Sequence, residues 1–256
     1  MESQHMGGRA AVRVPSIPRR GLGLLIYTVG FLLAIYLLGH TVWAYFEAQL
    51  FDPWTSLAAE AKLTTLECPL VIARAEGATV RLTLENPLER PIRRLVRLQV
   101  PEGYITLLSQ EEQWVDLAPG ARRTLEWHFG PERGVYGGRF LFVSAYASGR
   151  TPIPAQEGRC GIWIMPLAGV PGNLAWGAGI LGAWMAMVSG LALRGHRWRD
   201  RERLNTFDTG LRVVLGAYTV GLLAMVGGRW WFVAGLALLL AGVLFGTLLL
   251  RALQDW

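Results

Sequence analysis

The sequence predicts a membrane α plus all-β protein: four helices that cross a bilayer, with one β-sandwich domain inserted after the first. Three observations lead there. Only 17% of the 256 residues are charged, against about 25% in soluble domains. The apolar residues, 52% of the chain, collect into stretches near the length of about 20 residues that a spanning helix needs. Between two of those stretches, short runs of alternating polarity recur with turn residues between them, which is the pattern of a sheet with one buried face.

The first span is "GLGLLIYTVGFLLAIYLLGHTVWAYF", residues 21–46, preceded by a basic tail over 1–20 and followed by Glu47 and Asp52. Its apolar core exceeds the roughly 7–15 residues of a signal-peptide core, and no small-residue cleavage site ends it, so it reads as a retained anchor. The second span is "LAWGAGILGAWMAMVSGLAL", residues 174–193, after Pro171 and Asn173. The third, "LRVVLGAYTVGLLAMV" at 211–226, is short, with Arg212 placed to snorkel. Only Gly227, Gly228 and Arg229 separate it from the fourth, "WWFVAGLALLLAGVLFGTLLLRAL", about residues 230–250.

Orientation follows from arginines in the short connections, which the positive-inside rule places in the cytoplasm. Arg9, Arg13, Arg19 and Arg20 put the N-terminus inside. The loop at 194–209 carries Arg194, Arg197, Arg199, Arg201 and Arg203, and it too falls inside, as does the tail at 251–256. Residues 55–166 then lie outside. The expected location is the cell (cytoplasmic) membrane, crossed several times. Formal charge is +6, but residues 55–165 hold 13 basic and 12 acidic side chains. The surplus therefore sits beside helix ends rather than on a groove-sized surface, which argues against nucleic acid as a partner and for contact with the lipid bilayer.

In the outer domain, "ATVRLTLENP" (78–87) alternates cleanly, with Val80, Leu82 and Leu84 on one face and Arg81, Thr83 and Glu85 on the other. "IRRLVRLQVPEG" (92–103) alternates more loosely. "WVDLAPGARRTLEWHF" (114–129) holds two strands around Ala-Pro-Gly, and "GGRFLFVSAYAS" (137–148) is another. Runs at 66–73 and 160–165 bring the total to about seven strands, enough for two packed sheets.

Together, "GATVRLTLENPLERPIRRLVRLQVPEGY", "VDLAPGARRTLEWHF" and "YGGRFLFVSAYA" resemble the bacterial and archaeal immunoglobulin-like modules of extracytoplasmic proteins, of the CARDB and alpha-galactosidase-associated kind. The resemblance covers about 90 residues, none of them in the spans, and rests on a strand ending in Asn-Pro, a Leu-x-Pro-Gly turn and a Gly-Gly-x-aromatic strand. It implies an immunoglobulin-like β-sandwich and brings no catalytic residues. Fold alone does not fix function.

Cys68 and Cys160, the only two cysteines, fall near the first and last strands. Outside the cell they would pair as a structural disulfide; two buried thiols are the alternative. His40 lies within the first span, where an ionisable residue is a functional candidate. A haem or quinone contact is one reading and an interfacial, hydrogen-bonded histidine the other, favoured because no other span supplies a second histidine. The four histidines have no metal-ligand spacing, and no nucleophile elbow or phosphate-binding loop is present, so no cofactor is expected and no enzymatic activity is assigned.

The glycines of the spans suggest helix packing instead. Ala175, Gly179 and Ala183 repeat every fourth residue, as do Ala178, Gly182, Ala186 and Gly190, then Ala217 with Gly221 and Gly242 with Gly246. Small residues at that spacing let helices approach closely in lipid. The expected role is an accessory or scaffolding subunit of a membrane complex, its partners being other membrane-protein subunits. A module binding cell-envelope polysaccharide or a surface layer is the alternative, with Trp114, Trp127 or Tyr136 stacking on sugars. A redox-chain subunit using His40 is a further one.

Overall fold

The computed structural model describes residues 19–51, 59–195, 205–228 and 230–254. It is an α plus β protein in which four long helices carry two β-sheets. Helix α1 (Arg19–Leu50) is 32 residues long, or about 48 Å at 1.5 Å per residue. Helices α2 (Gly172–Gly195), α3 (Asn205–Gly228) and α4 (Trp231–Gln254) have 24 residues each. All four are long and apolar enough to cross a membrane, over Gly21–Leu50, Gly172–Arg194, Thr206–Gly228 and Trp231–Arg251.

Two of the helix bounds that differ from the hydrophobic pattern have a local reason. Helix α3 starts at Asn205 rather than 211 because Asp208, in its first turn, complements the helix N-terminus. The Asp208 carboxylate also accepts from Arg194 Nε at 3.0 Å across the α2–α3 connection. Helix α1 continues past 46 to Leu50 because its last turns pack on the sheets, where Ala44, Tyr45 and Ala48 are buried.

The helices pack through backbone approach. A Cβ on Gly190 would stand 2.6 Å from the Gly23 carbonyl oxygen, and one on Gly30 would stand 2.8 Å from that of Ala183. Helix α1 meets α4 through Phe31 and Phe245, whose ring centroids are 4.4 Å apart. It meets α3 where the Tyr27 hydroxyl donates to the Leu211 carbonyl at 2.7 Å. Gly221 of α3 faces Ala234 and Ala237 of α4 at 3.3 Å from a would-be Cβ.

The strands are β1 (Ala61–Lys62), β2 (Leu66–Glu67), β3 (Val71–Ala73), β4 (Ala78–Glu85), β5 (Ile92–Glu102), β6 (Tyr104–Leu117), β7 (Arg122–Phe129), β8 (Phe140–Ala147) and β9 (Gln156–Met165). The larger sheet runs β1-β9-β8-β5-β6, with β3 also on β9, and it is mixed because β1 and β3 pair with β9 in parallel. The smaller sheet, β2-β4-β7, is antiparallel. Their apolar residues form one continuous core with the inner faces of the helices.

Strand β4 alternates as its sequence does, with Val80, Leu82 and Leu84 buried. Strand β8 does not: it is buried on both faces from Phe140 to Ala145, because α1 covers the side that the smaller sheet leaves open. Cys68, just after β2, and Cys160 on β9 are joined by a disulfide with Cα atoms 6.4 Å apart. The bond straps the smaller sheet to the larger one.

Two buried polar groups hold the corners. The Asn86 amide donates to the carbonyls of Arg90, Leu117 and Ala118 at 2.9–3.1 Å, while its oxygen accepts from Leu88 N. Arg94, 2% exposed, donates to the carbonyls of Ser148 and Ala147 and to the Gln156 amide oxygen. Burial lowers its guanidinium from the usual arginine range.

Candidate functional site

One set of buried polar contacts lies at the seam where α1 crosses from the helical bundle onto the larger sheet. A glycine makes the crossing possible. At Gly161, in the middle of β9, any Cβ would overlap the backbone of Ala44 and Tyr45. Glycine is needed there because helix backbone lies directly on strand backbone.

Above that contact, Arg159 of β9 donates through Nε to the Glu157 carboxylate at 2.6 Å and through Nη1 to the Gln49 carbonyl at 2.6 Å. Both ion-pair side chains are less than a tenth exposed. The arginine so serves the carboxylate on its own strand and a main-chain acceptor in the last turn of α1.

Below the contact, His40 is half-buried on α1. Its Nδ1 lies 2.7 Å from the Tyr36 carbonyl one turn back. A carbonyl can only accept, so Nδ1 is the donor in that bond. The ring stacks on Trp163 at 4.8 Å and 27°, with Tyr36 at 4.5 Å and Phe140 at 6.4 Å. An open groove of about 530 Å³ runs beside it, lined by Leu32, Ile35, Trp43 and Arg139 among others. Trp163 is 2% exposed and forms the wall that His40 rests on.

A second clamp joins the sheets to α2. The Glu76 carboxylate accepts from Ala73 N at 2.8 Å and from Gly172 N, the first residue of α2, at 2.7 Å. A carboxylate at a helix N-terminus satisfies an orphan donor and complements the dipole. Gly172 also lies against the backbone of Ile72 and Ala73.

A third contact comes from the turn at Val135–Gly138. Tyr136 there has φ 54°, a left-handed conformation that costs a non-glycine residue about 1–3 kcal/mol. Its hydroxyl donates to Glu47 of α1 at 3.1 Å. Partial burial and that carboxylate together hold the phenol above its ordinary range. Arg159, Glu157, Glu76 and Tyr136 carry no motif, and only the proximity of α1 or, for Glu76, of α2 makes them meaningful.

The other candidate residues separate into groups. Ala183 and Gly190 are buried against α1, Ala175 and Ala186 are half-buried, and Gly179 meets Leu37. Ala178 and Gly182 are exposed, and among the described residues nothing lies within 4 Å of a Cβ on Gly182. Gly221 is buried on α4 with Ala217 half-buried beside it, whereas Gly242 and Gly246 have no atom within 4 Å of a would-be Cβ. Arg194 is paired with Asp208 and lies over the Phe207 ring at 4.8 Å. Arg197, Arg199, Arg201 and Arg203 fall outside the described residues. Among the aromatics proposed for sugar stacking, Trp127 packs on the core, and Trp114 is exposed with the Arg93 guanidinium over its ring at 5.1 Å. Among the described residues no group of three or more His, Cys, Asp or Glu side chains could hold a metal ion.

No family model and no curated protein matches the chain. Several solved structures resemble part of it. A cycloisomaltooligosaccharide glucanotransferase of Paenibacillus sp. is 11% identical over 41% of this chain and 14% of its own, with a TM-score of 0.31. A β-glucuronidase of Bacteroides uniformis is 12% identical over 39% and 13%, with a TM-score of 0.29. The alkylpurine DNA glycosylase AlkC of Pseudomonas fluorescens is 19% identical over 43% and 32%, with a TM-score of 0.30. The chain thus spans a small part of each of these proteins, and likenesses at this level identify neither a family nor an activity.

Proposed function

We propose that the chain is a multi-pass membrane protein whose outward-facing domain is an immunoglobulin-like β-sandwich, and that it works as a non-enzymatic accessory or scaffolding subunit of a larger membrane complex. In this reading α1 leaves the cytoplasm, α2 returns, α3 and α4 go out and back, and both termini stay inside. The arginine-rich short connections support that direction.

The observation that carries the subunit role is the double clamp. Arg159 on Gln49 of α1 and Glu76 on Gly172 of α2 fix the sheets to the close-packed helix pair. The outward faces of that pair keep both small and large apolar residues, Ala178 and Gly182 beside Leu174 and Leu181. A rigidly presented outer domain on helices with small-residue outer faces suits a part that docks into an assembly. Purification in mild detergent, native electrophoresis and mass spectrometry of co-purifying chains test this reading. A larger complex with reproducible membrane-protein partners is expected, and a lone monomer overturns it. Protease added to intact cells checks the direction: cleavage within 59–165 with the 196–204 connection spared is the expected pattern.

One observation favours the polysaccharide reading as a second possibility. Trp114 offers an exposed ring on β6, and glycan binding that is lost in Trp114→Ala would support it.

A further inference from the structure

Strand β6 changes character along its length. Tyr104, Ile105, Leu107 and Leu108 are 75%, 39%, 54% and 42% exposed. From Ser109 to Gln113 the strand is polar, with Gln110 bonded to Gln99 and Glu112 paired with Arg97. A strand lying on a protein core buries every second residue, yet here no residue from Tyr104 to Trp114 is buried. Both sides of the apolar half are therefore open. The register with β5 jumps from Pro101↔Leu108 to Glu102↔Tyr104, so Ile105, Thr106 and Leu107 have no partner on β5 and bulge from the edge.

The apolar half is the half nearest the helices. Gly103 N donates to the Arg133 carbonyl at 3.4 Å, Val135 bridges to Phe140, and the Phe140 ring faces His40 of α1. Within about 9 Å of that height along α1 the other helices end: Trp176 of α2 donates to the Leu37 carbonyl, and the Phe46 ring lies 5.8 Å from that of Trp231 of α4. Leu167 and Val170, in the connection just before α2, are exposed as well.

We propose that the Tyr104–Leu108 edge is a lipid contact, entering the headgroup and upper acyl region of the outer leaflet as a second, peripheral anchor for the sheets. The proposal rests on the membrane reading above. Lipid is preferred to a protein occupant for two reasons. A docked partner covers one side of an edge strand, whereas a solvent covers both. The switch from apolar to polar also falls along the strand, with distance from the helix ends, as it does for interfacial segments. Without such cover an exposed apolar edge is an aggregation hazard.

The test uses the full chain in vesicles of phosphatidylcholine and phosphatidylglycerol, with the native disulfide intact. Leu107→Cys, Gln113→Cys and Leu236→Cys are each labelled with an environment-sensitive fluorophore; Leu236 is an exposed position on α4. Brominated acyl chains should quench the Leu107 and Leu236 labels and leave the Gln113 label bright. If Leu236 is quenched while Leu107 remains open to aqueous iodide, the edge stays in water, and the inference fails while the membrane reading stands. If Leu107 is shielded from both quenchers, protein covers it and the lipid assignment also fails. An unquenched Leu236 overturns the membrane reading itself.

Discussion

Arg159 bonds Glu157 and the Gln49 carbonyl at the same distance, 2.6 Å, and so joins β9 to the last turn of α1 through one guanidinium. A buried ion pair adds little net stability over an apolar replacement, but losing one partner strands a charge and costs about 3–5 kcal/mol. Arg159→Met is expected to lower the thermal midpoint in detergent sharply. The double variant Arg159→Met with Glu157→Leu should recover much of that loss, which a double-mutant cycle measures directly.

The Cys68–Cys160 bond closes a loop of sequence separation 92. In the chain-entropy model such a closure contributes about 4–5 kcal/mol. Non-reducing peptide mapping should recover the linked pair, and Cys68→Ala with Cys160→Ala should unfold at a lower temperature than the parent chain.

Glycines at backbone contacts differ from glycines in open space. Gly161→Ala and Gly190→Ala each force a methyl into backbone that cannot move away, with an expected cost of about 1–3 kcal/mol or more. Gly242→Ala meets nothing within 4 Å and should be tolerated. Unfolding midpoints of the three variants provide the comparison.

The Tyr136–Glu47 contact sets a pH dependence. The phenol is raised above its ordinary value of 10.0, first by burial and then by the Glu47 carboxylate. A group whose folded value is raised stabilises the fold fully below the unfolded value, and that stability is lost as pH rises through the folded one. The midpoint difference between the parent chain and Tyr136→Phe should therefore be constant below about pH 9 and shrink above about pH 10. A difference that does not change with pH would show that the contact contributes nothing through ionisation.

How much the sequence revealed depended on what each segment faces. Strand β4, with core on one side and water on the other, kept the period of two that made Val80, Leu82 and Leu84 legible. Residues 104–113 were missed as strand because an edge open on both sides has no buried face to print a period. The double burial of β8 was hidden for the opposite reason, since its second cover, α1, comes from nearly 100 residues earlier in the chain. The four apolar helices were plain from length and composition, and their ends were less so, because Asp208 and Gln49 extend them through partners that hydropathy does not register. At the seam, His40 was visible as a lone ionisable residue in an apolar run. Arg159 and Glu76 looked like ordinary surface residues, and Tyr136 stood out only as an aromatic for sugar stacking, because no local pattern records their contacts with α1 and α2.

The glycine contact at residue 161 has a mechanical consequence. A helix about 48 Å long, seated by main chain on main chain at one end, has little play at that joint. Near its far tip the same helix is met by main chain again, where a Cβ on Gly23 would stand 2.8 Å from the Gly190 carbonyl oxygen of α2, so the rod is held close to both of its ends.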